Sequence, residues 1–234
     1  MLMKYLLGVA IAIAIILLGW FLIIRPTATT EPNPISQRSD EVEVPGSTKA
    51  VESGSYTLVS EESEIVWTAQ KPLIPGYVHT GTMGVKTGVL YVDAGSFNGE
   101  IVIDMNQVRL VSLGGGKAGN ESRLETHLKS GDFFDVTKYP TATFIITQAT
   151  KDEVLDTYVL TGSLTMKDIT HEISFPAQVF EQYGKLHLTA QLEIDRTQWN
   201  ITFGSANFFD SLAENAIGDT VGLSLDLVAT PENG

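Results

Sequence analysis

Hydrophobic and polar residues alternate along most of the chain after Tyr56, the period-2 pattern of strands with one buried and one solvated face. The clearest run is Lys185 to Asp195. Leu186, Leu188, Ala190, Leu192 and Ile194 fall on one face, and Lys185, His187, Thr189, Gln191, Glu193 and Asp195 on the other. Tyr158, Leu160, Gly162, Leu164 and Met166 form a second apolar face, and His171, Ile173, Phe175, Ala177 and Val179 a third. Val221, Leu223, Leu225, Leu227 and Ala229 form a fourth, and Ile101, Ile103 and Met105 a shorter fifth. Weaker strand signals lie at Tyr56–Ser60, Ile65–Gln70, Thr80–Thr82, Gly88–Asp93 and Thr143–Ala149. Only Glu121–Lys129 reads as a helix. Crossover helices are missing, so the sheet is expected to be antiparallel, and about eight strands fit a closed barrel or a sandwich.

The N-terminal pattern is different. Tyr5 to Ile24 carries no charge, and twenty helical residues at about 1.5 Å each span roughly the 30 Å of a hydrocarbon core. Lys4 precedes this run, Arg25 and Pro26 follow it, and Trp20 and Phe21 lie near its outer end, where amphipathic rings prefer the interface. The run exceeds the apolar region of a typical signal peptide and lacks a good small-x-small exit. Residues 1–25 are therefore expected to be a transmembrane anchor, with an uncleaved signal as the alternative, and the rest of the chain to lie outside the cytoplasm. Residues 26–55, with Pro26, Pro32, Pro34, Pro45 and many Thr, Ser and Glu, read as a disordered linker. Residues 56–234 then form the folded domain.

Composition narrows the chemistry. None of the 234 residues is Cys, which excludes disulfides, thiolate zinc sites, iron–sulfur clusters and cysteine nucleophiles. The chain holds 15 basic and 28 acidic residues. The first 55 residues contain four basic and five acidic groups, which leaves 11 basic against 23 acidic in the domain. That balance argues against nucleic acid as a partner, because phosphate backbones require clustered Lys and Arg. The acidic charge reads first as a solvated surface, and alternatively as repulsion that holds the domain off anionic lipid headgroups.

The four histidines, His79, His127, His171 and His187, lack the i, i+4 spacing of a helical zinc motif, and no G-x-S-x-G elbow accompanies them. His187 falls on a polar face. His171 starts a strand and is expected at a rim. His79 follows the Pro/Gly-rich segment from Lys71 to Val78. Gly114-Gly115-Gly116-Lys117 is followed by Ala118, so it is a loop and not a phosphate cradle. Asp132 and Asp135 are expected to end the short helix and order the Phe133-Phe134 turn. Phe133-Phe134 and Phe208-Phe209 are adjacent ring pairs in loop-like stretches, while Trp67, Tyr91, Phe144, Phe175, Trp199 and Phe203 lie in or beside strands. Such rings fill a core, or line a cavity for an apolar ligand.

Three segments carry a family resemblance. Leu124–Phe144 (LETHLKSGDFFDVTKYPTATF) resembles the signature of the YceI-like family of lipocalin-like barrels that bind polyisoprenoids. Gly162–Pro176 is similar to that family's G-x-L-T-hairpin-T segment, and Leu188–Ile201 to its late strand and aromatic turn, with Asn200 where a Gly is common. The resemblance covers about residues 56–230. It implies an antiparallel eight-stranded lipocalin-like barrel with one short helix, secreted or periplasmic, with no enzymatic activity and no cofactor beyond a bound isoprenoid lipid. A quinone-like or polyprenyl phosphate-like chain would occupy the barrel for transport or storage, and a homodimer is an assembly the family allows. The candidate ligand-binding residues are Trp67, Lys71, His79, Tyr91, Phe133, Phe134, Phe144, Phe175, Ala190, Arg196, Trp199 and Phe203, with Lys71, His79 or Arg196 near a headgroup. An enzyme acting on an isoprenoid or small organic substrate, and a ligand-free stress-related module with a solid core, are the alternatives.

Overall fold

A computed structural model describes residues 51–232 apart from residues 117, 118, 153 and 211. The expected anchor and most of the expected linker lie outside the described residues. Among the described residues, no helix is long and apolar enough to cross a membrane.

Among the described residues, nine strands form one antiparallel sheet: β1 (Gly54–Leu58), β2 (Glu64–Gln70), β3 (Val78–Asp93), β4 (Ser96–Ser112), β5 (Thr141–Asp152), β6 (Thr157–Met166), β7 (Ile169–Gln182), β8 (Lys185–Asp195) and β9 (Thr220–Pro231). An α-helix, α1 (Glu121–Lys129), joins β4 to β5. From β3 onward each strand pairs with the next, and β9 returns to pair with both β1 and β2. Strands β1 and β2 also both pair with β3, so they share one place in the ring, interrupted by a 3-10 turn at Ser60–Glu62. The result is a closed up-and-down barrel with eight positions, which leaves no long free edge.

Three two-residue hairpins set the register. Ala94-Gly95, Lys167-Asp168 and Tyr183-Gly184 each place both residues at positive φ. This is the turn geometry whose twist matches that of the flanking strands. Strands β3 and β4 are far longer than alternation predicts. Register shifts between Thr80 and Gly81, Thr82 and Gly84, and Val85 and Thr87 keep the pairing continuous while breaking the period-2 pattern.

The ring has two unlike ends. At one end lie the short turns Asp93–Ser96 and Gln182–Lys185 and the β5–β6 connection. The inward faces here are tightly filled: Tyr56, Leu58, Leu90, Val92, Phe97, Tyr158, Leu160, Leu186, Leu188, Leu227 and Ala229 are all buried. At the other end lie the Lys71–Tyr77 loop, α1 and its following turn, and the long connection from Arg196 to Asp219. Toward that end the inner faces of β7, β8 and β9 pack less completely, and Ile173, Leu192, Ile194, Val221, Leu223 and Leu225 are only half-buried.

Candidate functional site

The helix-bearing end encloses an apolar cavity of about 80 Å³. Its floor comes from Trp67 and Ala69 of β2, Gln70, Lys71, Tyr77, and His79 of β3. Its roof comes from Leu124 and Leu128 of α1, Phe133 of the following turn, and Ile217 of the β8–β9 connection. Register explains the floor: Trp67 pairs with Gly81 and Ala69 with His79. Directly opposed residues of an antiparallel pair point to the same side of the sheet.

Gly81 admits the Trp67 ring. A Cβ at position 81 would collide with that ring and with the Arg109 carbonyl of β4. Tyr77 and His79 lie with ring centres 4.9 Å apart, and the Lys71 ammonium stands 5.0 Å over the Tyr77 ring. The triple-glycine turn packs here too. The Val78 amide donates to the Gly114 carbonyl at 3.0 Å, and a Cβ on Gly116 would come within 3.5 Å of His79 Nε2.

The roof is pinned from several sides. The Leu110 amide donates to Glu125 Oε1 at 2.8 Å, which ties α1 to β4. His127 Nε2 meets Asp132 Oδ2 at 2.9 Å, and its ring packs edge-on against Phe133 and Phe203. Lys167, from the β6–β7 hairpin, donates to the Phe133 carbonyl at 2.7 Å and to the Asn200 carbonyl at 3.2 Å. Phe133, buried beneath this latch, closes the mouth.

Two polar atoms stand out against these walls. Trp67 Nε1 and His79 Nε2 are both buried, and neither has a hydrogen-bond partner. A buried donor left unpaired costs about 1–3 kcal/mol, so an orphan pair in one cavity marks a place where a partner belongs. Burial, and secondly the Lys71 charge, hold the His79 pKa below its ordinary 6.5, so the ring is neutral at pH 7. The folded state therefore takes up this proton at lower pH than the unfolded chain does. The stability it contributes is present above about pH 6.5 and is lost as pH falls through that value toward the lowered one. Acidification from pH 7.5 to 5 is expected to lower the melting temperature, and His79→Leu to flatten that slope. An unchanged slope in the variant would assign the acid sensitivity to other groups.

The structure brings Trp67, Lys71, His79 and Phe133 together at this cavity, and Phe203 touches the outer side of Phe133 with ring centres 5.3 Å apart. Phe134 packs half-buried against the core. Phe144 and Phe175 are buried on the inner wall with ring centres 5.6 Å apart. Ala190, also buried on the inner wall, pairs with Ala177 and Leu225. None of these four lines the cavity. Tyr91 lies on the outer surface of β3, 50 % exposed, and does not face the interior. Trp199 is a core residue whose indole donates to the Leu164 carbonyl at 3.1 Å. Phe208 and Phe209 are exposed.

Arg196 does not line the cavity. It is buried, and it donates to the carbonyls of Gly218, Ile201 and Ile217 and to Asp219 Oδ1. Those bonds clamp the β8–β9 connection and leave the guanidinium no free face for a ligand. His171 sits at the rim and meets the Gln198 carbonyl at 3.0 Å. Asn200 adopts a left-handed φ of 55°, a conformation that Gly and Asn tolerate, so its place in a Gly-favouring turn is explained. The sequence reading missed Ala69, Gln70, Tyr77, Leu124, Leu128 and Ile217. The two leucines were visible as the apolar side of α1, but nothing local marked Ala69 or Ile217.

This architecture places the chain among small closed antiparallel β-barrels with eight strand positions. More specifically, the chain belongs to the YceI-like domain family, whose model matches residues 56–229. Protein YceI of Shigella flexneri is 38 % identical over 63 residues, covering 27 % of this chain and 32 % of that protein. A UPF0312 protein of Pectobacterium carotovorum is 36 % identical over a stretch of the same length and coverage. The chain thus spans about a third of the length of the curated relatives it matches. Among solved structures, Burkholderia cenocepacia BcnA superposes with a TM-score of 0.56 at 20 % identity, covering 74 % of this chain and 99 % of that one. A polyisoprenoid binding domain from Saccharophagus degradans, implicated in plant cell wall breakdown, gives 0.51 at 16 % identity, covering 76 % and 98 %.

Proposed function

We propose that the domain binds an amphiphilic lipid, with a polyisoprenoid tail as the leading candidate, and that it binds without turning it over. The observation that carries this reading is the capped cavity: apolar walls of Ala69, Leu124, Leu128, Phe133 and Ile217 stand beside Trp67 and His79, whose buried Nε1 and Nε2 lack partners. A few convergent polar groups in a greasy recess suit a ligand with a long tail and a small head. The Saccharophagus degradans relative, described as polyisoprenoid binding, supports the same chemistry.

The recess of about 80 Å³ is far smaller than the roughly 300–1,000 Å³ of typical ligand sites. The expectation of a ready-made roomy hollow therefore needs correction. A chain enters only if the α1–Phe133 roof swings aside and the half-buried wall of β7–β9 yields. Apolar burial at about 25 cal/mol per Å² would drive this step. Transport or storage outside the cytoplasm, tethering through residues 5–24 and pairing into a homodimer belong to the same proposal.

The test is mass spectrometry of an organic extract of the purified full chain, followed by lipid re-uptake after delipidation. A prenyl lipid in the extract is expected. The Ala69→Phe variant, which fills the recess, is expected to lose re-uptake at least tenfold while keeping its β-sheet circular dichroism. Undiminished uptake by that variant would place the lipid elsewhere.

A further inference from the structure

Exposed apolar side chains crown both ends of the barrel, and charge tells the ends apart. At the helix-bearing end Leu73, Val111, Phe203, Phe208 and Phe209 face solvent, the last two 57 and 49 % exposed. At the other end Val154, Leu155 and Tyr183 do so, between Asp152 and Asp156 and close to Glu181. The four connections at the helix-bearing end, residues 71–77, 113–140, 167–168 and 196–219, hold seven basic and eight acidic residues. The rest of residues 56–234 holds four basic and fifteen acidic. Nearly all of the domain's negative charge therefore lies away from the mouth, and only the mouth can approach a negatively charged surface without strong repulsion.

The ring pair at the mouth is held out on a fixed turn. The Phe208 and Phe209 amides both donate to the Ser205 carbonyl, at 3.2 and 3.0 Å. Ser205 is fully buried and donates through Oγ to Asp219, the carboxylate that Arg196 also grips. Little conformational entropy is then lost when the rings enter an apolar phase. The crown also joins the cavity, because Phe203 touches Phe133, which lines it. The apolar residues are spread over three segments, with Asn207 and Asp210 flanking the ring pair. A protein partner favours one contiguous apolar patch, whereas the fluid interface of a bilayer accepts scattered rings beside polar groups. We propose that the helix-bearing end docks mouth first on a phospholipid bilayer. Phe208, Phe209 and Leu73 enter the interfacial layer, and the acidic body is held away from it. The inference goes beyond the lipid-binding reading, because it stands on the exposed rings and the charge balance and not on what the cavity holds.

The chain has no Cys, so one introduced thiol takes a fluorophore cleanly. The test labels the full chain with a nitrobenzoxadiazole dye at Ala206→Cys, an exposed position beside the ring pair, or at Tyr183→Cys, at the opposite end. Each is mixed with vesicles of phosphatidylcholine and a minority of phosphatidylglycerol, doped with doxyl-phosphatidylcholine as quencher. Any membrane contact through residues 5–24 is common to all samples, so the comparison reads only which end of the domain meets lipid. Quenching at Ala206 and none at Tyr183 is the expected result. Burying one half-exposed ring is worth about tenfold in the docked-to-free ratio. Phe208→Ser/Phe209→Ser is therefore expected to bring the Ala206 label down to the Tyr183 level, with circular dichroism unchanged. Leu73→Ser, on a different loop, is expected to weaken docking about tenfold and keeps the test open if the double variant folds poorly. Quenching at Tyr183 alone, equal quenching at both ends or none at either overturns the proposal, as does Ala206 quenching that both variants retain. Prenyl lipid in the organic extract alongside any of those results sinks docking and leaves the lipid reading standing.

Discussion

Replacing Arg196 with Leu is expected to destabilise the domain by about 3–5 kcal/mol, the range for breaking a buried charged pair. The Arg196 side chain is 5 % exposed and that of its partner Asp219 18 %, at an Nη2–Oδ1 distance of 3.3 Å. Burial weakens the guanidinium's hold on its proton, while Asp219 and Asp195 strengthen it. Loss of the guanidinium would strand the Ile201, Ile217 and Gly218 carbonyls that it bridges at 2.6, 3.2 and 3.0 Å. Asp219 would keep its bonds from Ser205 and Asn207, but these anchor only the connection itself and not its attachment to β8. Urea denaturation measures the loss, and limited proteolysis near Phe208 and Phe209 locates it. A change below about 1 kcal/mol, within the range of ordinary exposed ion pairs, would show that the clamp is dispensable.

Gly81→Val should strike both the fold and the site. A branched side chain there meets the Arg109 carbonyl of the paired strand on one side and the Trp67 ring on the other. Backbone cannot give way as a flexible side-chain tip can, so overpacking should cost about 3 kcal/mol, the upper end of the usual range. Relief through the softer neighbour pushes the indole into the recess. Prenyl lipid uptake is then expected to fall at least tenfold, with a shift in the near-ultraviolet circular dichroism from Trp67. Normal uptake together with wild-type thermal stability would show that the Trp67 position matters to neither.

The barrel is largely legible in the sequence. The runs beginning at Tyr158 and Lys185 alternate cleanly, and their inward members Leu160, Leu164, Leu186 and Leu188 are buried as parity requires. Strand β3 was seen only as two fragments. Gly81, Gly84 and Gly88 bear no side chain to mark a face, and each register shift inverts parity. The choice between barrel and sandwich was open to periodicity alone, because both use the same alternation. For the site, aromatic content pointed to Trp67 and Phe133, but could not separate ring from ring. Tyr91 and Trp67 carry the same kind of signal and lie on opposite sides of the wall. Arg196 looked like an available cation because its four acceptors come from residues 201 to 219, at separations that local reading does not connect.

The unequal filling of the two halves sets a depth gauge. From Ile65 to Gln70, β2 rises about 3.3 Å per residue, and below Ile65 the bore is plugged by Tyr56, Leu58, Leu90 and Leu227. A long guest would have only its first stretch swallowed while the remainder trails beyond the lid.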